Sequence, residues 1–294
     1  MNTNDPGMEK ITCNICETSN YELKLYQVNS GRLVKCTKCD LYYTSPRRTD
    51  IIDAVHENKT SDELLEAKNL NMSGRVYEFN NYLKVINSHK SPDGKLLDIG
   101  CYEGLFLYEA RKFGWDCTGV EPHIGGAKHA REKLKLNVIQ TVLNDADFED
   151  SYFDIVTILA TLEHVPDPSS TLDEIRRIIN EDGLLLISVP VIPFYLNLLK
   201  KRWRMFIGDH YFFFNDQSMA ALLRKKRFEI IDAYYVTKLV DINTISARLA
   251  SDDQPNNWGE IGKYIDRLVK KSRLRFIHIP INLFDTKMYL ARPF

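Results

Sequence analysis

Leu96-Leu97-Asp98-Ile99-Gly100-Cys101-Tyr102-Glu103-Gly104 is the stretch whose reading decides the fold. Leu96 to Ile99 reads as a buried strand. Glu103 to Phe113 has helical spacing that stops at Gly114, a residue suited to a C-cap. Between them lies a tight turn. Gly100 lets the backbone bend and approach a ligand with no Cβ in the way, and Gly104 lets the helix pack close to the strand. Asp98 ends the strand, where a carboxylate can hold a cationic or hydroxyl-bearing ligand. Strand, glycine turn and helix in that order form the context a cofactor loop requires. The turn lacks the full G-x-G-x-x-G spacing of nicotinamide enzymes, which argues against a pyrophosphate on the helix N-terminus.

Outward from this turn, short apolar runs alternate with amphipathic stretches. Cys117 to Val120 is a second strand and Gly125 to Leu136 a second helix. Val138 to Val142 and Phe153 to Leu159 are further strands. Ser169 or Ser170 can cap a helix running to Ile179, and Leu184 to Val189 is a fifth strand. Phe228 to Val236 and Lys287 to Ala291 complete seven. The expectation is an α/β, Rossmann-like, mostly parallel sheet with flanking helices. Three regions follow: a cysteine-bearing segment over 1–45, a helical linker or lid over 46–90, and a catalytic domain over 91–294 with insertions at about 193–215 and 240–280.

Glu121 lies twenty-one positions after Gly100 (121 − 100), at the end of the second strand. An acid there can accept both hydroxyl hydrogens of a ribose, and the strand ends of such sheets are where ligands bind. With LLDIGCYEGLFL, GVEP, FDIVTILATLEHVPDP and GLLLISVP in that order, the chain resembles class I S-adenosylmethionine methyltransferases. Within them it is similar to the small-molecule group that includes ubiquinone-biosynthesis O-methyltransferases and sugar methyltransferases. The resemblance spans roughly 95–235.

The resemblance implies roles. Gly100, Cys101 and Gly104 would border the methionine part of S-adenosylmethionine, Asp98 would face its amino group, and Glu121 would hold the ribose. Val142 and Leu143 fall where the family contacts adenine, and Ala160 beside the sulfonium and the methyl acceptor. In ubiquinone-type enzymes the segment matching Leu162-Glu163-His164 can bind a divalent metal with an extra Glu, a position filled here by Ala160; a catalytic metal is therefore not expected. Tyr102 stands where the family usually has glycine, so its side chain must point away from the cofactor or cover it.

Two histidines are candidate bases. His164 follows the fourth strand, where it either takes a proton or orders its loop. His210 sits in the aromatic insertion with Tyr195, Trp203, Phe206, Tyr211, Phe212, Phe213 and Phe214. Such a stretch can wall an acceptor pocket against water or simply pack as core. Lys200, Lys201, Arg202 and Arg204 either hold an anionic part of the substrate or form a solvated face. Arg75, Tyr77, Phe79 and Tyr82 belong to a helix expected before the first strand of the domain.

Cys13-x-x-Cys16 and Cys36-x-x-Cys39 are separated by 19 residues (17 to 35), a spacing typical of a four-thiolate zinc site. With four ligands used, the zinc would be structural, in a zinc-ribbon-like segment. Cys101 and Cys117 read as small packing residues.

Composition bounds the rest. The chain has 294 residues, and Lys+Arg 39 against Asp+Glu 40 leaves no basic excess. A protein that binds nucleic acid mainly through phosphates usually shows one. No apolar run is long enough for a membrane span, and Met1 to Lys10 is polar, so a cytoplasmic location and reduced thiols are expected. The function expected is methyl transfer from S-adenosylmethionine to a hydroxyl of a sugar, nucleotide-sugar or secondary metabolite. RNA methylation and a catalytically inactive cofactor-binding role are the alternatives.

Overall fold

The computed structural model describes residues 7–28, 31–48, 72–199, 203–206, 209–250 and 258–294. In chain order its elements are β1 (Met8–Glu9), β2 (Tyr21–Val28), β3 (Gly31–Cys36), β4 (Tyr42–Arg48), α1 (Met72–His89), β5 (Lys95–Ile99), α2 (Leu105–Phe113), β6 (Asp116–Val120), α3 (Ile124–Glu132) and β7 (Asn137–Ile139). They continue with β8 (Phe153–Leu159), α4 (Pro168–Ile178), β9 (Ile179–Pro190), α5 (Leu196–Leu199), β10 (Phe212–Phe213), α6 (Asp216–Lys225) and β11 (Phe228–Tyr235). The last are β12 (Lys238–Asp241), α7 (Ile242–Ala250), α8 (Gly259–Lys271), β13 (His278–Ile281) and β14 (Thr286–Pro293). The chain falls into two compact units. Residues 1–58, 86–235 and 284–294 form the first, and 59–85 with 236–283 the second.

The first unit is built on a seven-stranded sheet in the order β11-β14-β9-β8-β5-β6-β7. β9, β8, β5, β6 and β7 run parallel, whereas β14 is antiparallel to both its neighbours. Central parallel strands are covered on both faces, so they read as continuous apolar runs rather than alternating ones. Leu96, Leu97, Ile155, Val156, Ile158, Leu185, Leu186 and Ile187 are buried accordingly. From β5 the chain steps one way to β6 and β7, then returns to β8 and β9 on the other side of β5. The ends of β5 and β8 therefore flank a topological switch point, the crevice where open α/β sheets bind ligands.

Local chemistry fixes the helices. α2 ends at Gly114, whose φ of 113° gives the left-handed cap expected of it. α4 is capped by Asp167, whose side chain accepts from Ser170 N, with Pro168 in its first turn. This corrects the expectation of a Ser169 or Ser170 cap: the preset φ of proline and the stronger carboxylate acceptor start the helix earlier. The third strand is also shorter than expected, ending at Ile139, so Val142 lies outside it, just before a 3₁₀ turn over Leu143–Asp145.

A second sheet in the first unit has the order β1-β4-β3-β2. Its β4 also pairs antiparallel with β10, Phe212 facing Tyr43 and Phe213 facing Tyr42. The aromatic run 211–214 is fully packed, with Tyr211, Phe212, Phe213 and Phe214 all buried. Trp203, Leu33, Leu196 and Phe213 form a small apolar cluster of their own. Of the basic run, Lys200, Lys201 and Arg202 lie outside the described residues, as do 49–71 of the expected linker.

The second unit holds α7 packed on α8 and the hairpin-like pair β12-β13. Asp241 caps α7 by accepting from Thr244 N and Oγ1. Ser246 bonds buried Asp266 of α8 at 3.0 Å. In the part of α1 that belongs to this unit, Tyr82 Oη donates to Glu78 at 2.7 Å and Arg75 lies 5.7 Å from the Phe79 ring centroid. No helix among the described residues is long and apolar enough to cross a membrane.

Candidate active site and cysteine cluster

The turn after β5 is held from three sides. Gly100 N and Cys101 N both donate to Val120 O, and Gly104 N donates to Cys101 O. Gly100 has φ 72° and Gly104 φ 78°, conformations that L side chains rarely adopt. A Cβ at Gly100 would lie 2.5 Å from the Thr161 side chain, so the turns after β5 and β8 touch across the switch point. Tyr102 adopts φ 47° despite its side chain. Its ring lies 5.6 Å from the His123 ring and against Gly126, on the start of α3. Where glycine was expected, the backbone thus keeps a glycine-like shape, and the ring is set aside on the neighbouring helix.

Glu121 organises this corner. One carboxylate oxygen accepts from Tyr102 N and the other from His123 N, each at 2.7 Å. His123 in turn accepts from Gly126 N at 3.1 Å and caps α3. Asp98 is buried and accepts from the Thr157 hydroxyl at 2.7 Å. Burial, with the nearby Glu121 charge added, pushes its carboxyl up to about 7, against a partial opposing pull from Thr157. A cation placed beside it would reverse that shift. Cys101 is buried next to Gly119, and burial pushes its thiol up strongly; Cys117 is pushed up to about 12 for the same reason. Neither is a poised nucleophile. Leu143 is buried, Val142 is exposed, and Ala160 is exposed at the end of β8 with φ 50°.

Beyond Ala160 the two candidate histidines meet. The rings of His164 and His210 are 4.6 Å apart, edge to face, and the ligand atoms of Glu163, His164 and His210 all lie within 4.8 Å of one another. One carboxylate and two imidazoles form a donor set suited to a borderline transition metal rather than Mg²⁺. Burial, then the neighbouring His164, lowers His210 to about 3. His164 is half-buried, with Nδ1 2.9 Å from Asp209 O and 3.5 Å from Asp209 Oδ2. A carbonyl can only accept, so Nδ1 is the nitrogen that donates to Asp209 O. Arg204 makes a bidentate pair with buried Asp285 at 2.8 Å, which occupies its guanidinium fork.

The cysteines form two copies of one turn. Glu17 N donates to Cys13 O and Asp40 N to Cys36 O; Cys13 N donates to Thr18 O and Cys36 N to Leu41 O. Glu17 and Asp40, each four residues after the first cysteine, both have positive φ, 57° and 61°. All four Sγ atoms lie within 4.8 Å of one another, and Cys13 Sγ is 3.4 Å from Cys39 Sγ. Tetrahedral Zn–S bonds of about 2.3 Å require sulfurs about 3.8 Å apart, so the four thiols fit one zinc ion.

This segment grips the histidine loop. Asn14 donates to Asp167 and accepts from Ser169 N, both at 2.7 Å. Buried Arg47 donates to Pro166 O at 2.9 Å and stacks 5.2 Å from the Tyr211 ring centroid. Thr44 N donates to Tyr211 O, and Tyr211 N donates to Glu163 O. Asn215 Nδ2 reaches Asp40 O of the second cysteine turn. Sequence reasoning missed Asn14, Arg47, Thr157, Thr161 and Asp209. Only Thr157 and Thr161 carried a visible signal, as polar residues in and just after an apolar strand.

The profile of a methyltransferase-domain family matches residues 72–233, over half of the chain. The chain belongs to that family. The ubiquinone biosynthesis O-methyltransferase of Yersinia enterocolitica is 33% identical over 126 residues, 40% of this chain and 50% of the relative. That of Actinobacillus pleuropneumoniae is 34% identical over 104 residues, 32% of this chain and 44% of the relative. The chain spans about half the length of the curated relatives it matches. Among solved structures, a SAM-dependent methyltransferase from Archaeoglobus fulgidus superposes with TM-score 0.53 and 18% identity, covering 78% of this chain and 99% of that one. One from Thermotoga maritima gives 0.51 and 18%, covering 78% and 95%. These likenesses agree on the class I S-adenosylmethionine methyltransferase fold.

Proposed function

We propose that the protein is an S-adenosylmethionine-dependent O-methyltransferase acting on a small-molecule hydroxyl, with a structural zinc in its N-terminal segment. The observation that carries this reading is the corner made by Gly100, Glu121 and Asp98 at the switch point. The glycine lets the turn after β5 close against Thr161, Glu121 is a buried carboxylate of the kind that accepts from ribose hydroxyls, and Asp98 is a buried acid that a cationic group would stabilise in its ionised form. Gly104, Cys101 and Leu143 shape the walls, with Val142 and Ala160 exposed at the rim. S-adenosylmethionine, when bound, supplies a methyl group on a positively charged sulfur. The residues of this chain orient the acceptor, exclude water and take its proton.

His164 is the residue assigned to the proton. Its Nδ1 is held by Asp209, which leaves Nε2 on the other side of the ring to take a proton, and the Asp209 carboxylate would stabilise the imidazolium that forms. With the methyl donor bound, Nε2 would accept the proton that the hydroxyl releases on methylation. His210, lowered to about 3, is too weak a base near neutral pH and serves as the buried wall of the same site. The absence of a basic excess and the similarity to ubiquinone-biosynthesis O-methyltransferases support a small-molecule acceptor over RNA. The test is mass-spectrometric detection of methylated product from a panel of phenols and sugars, using wild type and His164→Gln. Product from wild type with at least tenfold less from the variant supports the reading; equal rates remove His164 from the chemistry.

A further inference from the structure

The second unit carries a helix that exposes its apolar side. On α8 and the residue before it, Trp258, Ile261, Tyr264 and Leu268 are 56%, 66%, 60% and 52% exposed. At 100° per residue Ile261, Tyr264 and Leu268 fall on one face of α8, turned away from the Gly262, Asp266 and Val269 face that is buried, and Trp258 is exposed just before the helix begins. Arg267 and Lys271 border the apolar face, and Arg273 follows it. These three cations are exposed and form no ion pair among the described residues, whereas Lys263 and Lys270 are paired with Glu260 and Asp266. Residues 258–278 hold six Lys/Arg and two Asp/Glu, a net of +4 (6 − 2), in a chain of net −1. This stretch is basic although the chain as a whole is not.

We infer that this face docks on the surface of an anionic lipid bilayer, with the helix lying in the plane of the headgroups. Thirteen residues of helix span about 20 Å, too little to cross a hydrocarbon core of about 30 Å. A cationic border beside an apolar face bearing Trp and Tyr is instead the composition of interfacial helices, whose aromatic rings settle at headgroup level. Charge decides between occupants. A second copy of the chain would bring +4 against +4, and RNA would leave four large apolar side chains in water. An anionic bilayer matches both the charge and the apolar area. Docking would hold the enzyme beside amphiphilic acceptors dissolved in the lipid.

The test uses the zinc-loaded full chain in sedimentation with phosphatidylglycerol–phosphatidylcholine vesicles and with phosphatidylcholine vesicles alone. The expected result is binding to the anionic vesicles only, weakened by salt, with a blue shift of fluorescence that Trp258→Phe abolishes. Arg267→Gln/Lys271→Gln should weaken binding about 25-fold, near fivefold per charge. Leu268→Glu should remove it while the melting temperature stays within a few degrees. Binding unaltered in these variants overturns the inference, as does no binding to either vesicle. So does a dimer in analytical ultracentrifugation that Leu268→Glu dissolves, or tighter binding to single-stranded RNA than to vesicles. None of these outcomes depends on S-adenosylmethionine binding.

Discussion

The turn after β5 and the histidine loop after β8 lie at neighbouring strand ends but are built in opposite ways. The turn is assembled from residues close in sequence: Gly100 to Gly104, bonded to Val120 and Glu121 one strand over. The histidine loop is assembled from three distant segments. His164 meets Asp209, His210 and Tyr211 from 45 residues or more away, and Asn14 and Arg47 from more than 110. The first kind of site depends on backbone conformation and the second on long-range docking, so the two should fail under different insults.

The largest effect is expected from the cysteines. Removing zinc with a chelator, or Cys36→Ser, should melt the N-terminal segment, since structural zinc sites contribute on the order of 10 kcal/mol to folding. Methyl transfer should then collapse, while affinity for S-adenosylhomocysteine stays within about twofold, because the cysteine segment is bonded to the histidine loop. Parallel loss of both would erase the distinction. Gly100→Ala should do the reverse. Its Cβ meets Thr161 at 2.5 Å in a backbone conformation of φ 72°. The expected loss is about 1–3 kcal/mol, read as weaker cofactor affinity by calorimetry. Gly100→Ala/Thr161→Ala should recover part of it.

Asp98 supplies a pH signature for the turn alone. Its folded pKa of about 7 lies above the 3.8 of an unperturbed carboxyl. The folded ligand-free protein therefore holds a proton that the unfolded chain has released. Between about pH 4 and 7 this group's contribution to stability falls as pH rises, the opposite of a salt-bridged aspartate. A cationic ligand favours the ionised form, so cofactor affinity should fall by up to about tenfold per unit as pH drops below 7. Asp98→Asn should flatten that dependence. The smallest effect is expected at Arg47→Met. Loss of its bonds to Pro166 O and Glu9 and of its place on Tyr211 should cost about 0.5–1.5 kcal/mol of stability and lower turnover severalfold, with cofactor affinity unchanged.

The same contrast explains what could be read in advance. The sheet is legible because buried parallel strands print themselves as apolar runs such as Phe153 to Leu159, which matches β8 residue for residue. The glycine turn and the cysteine pairs are legible because their chemistry is local and spaced. Thr157 was within reach, since in parallel register it stands directly beside Asp98. The capping Asp167 was within reach too, because Pro168 marks a first turn. The pairing of β10 with β4 was not: two phenylalanines joining a strand near residue 43 leave no periodic trace, and packing rather than pattern selects them. For the same reason no spacing rule points from His164 to Asp209.

The most direct test of the account is isothermal titration of S-adenosylhomocysteine into the zinc-loaded protein at pH 8, with Glu121→Gln as the comparison. Glu121 holds Tyr102 N, His123 N and, on this account, the ribose, so one-to-one binding in the micromolar range should weaken at least about tenfold in the variant. No measurable binding by the wild-type protein, or equal affinity in the two, would contradict the site proposed here.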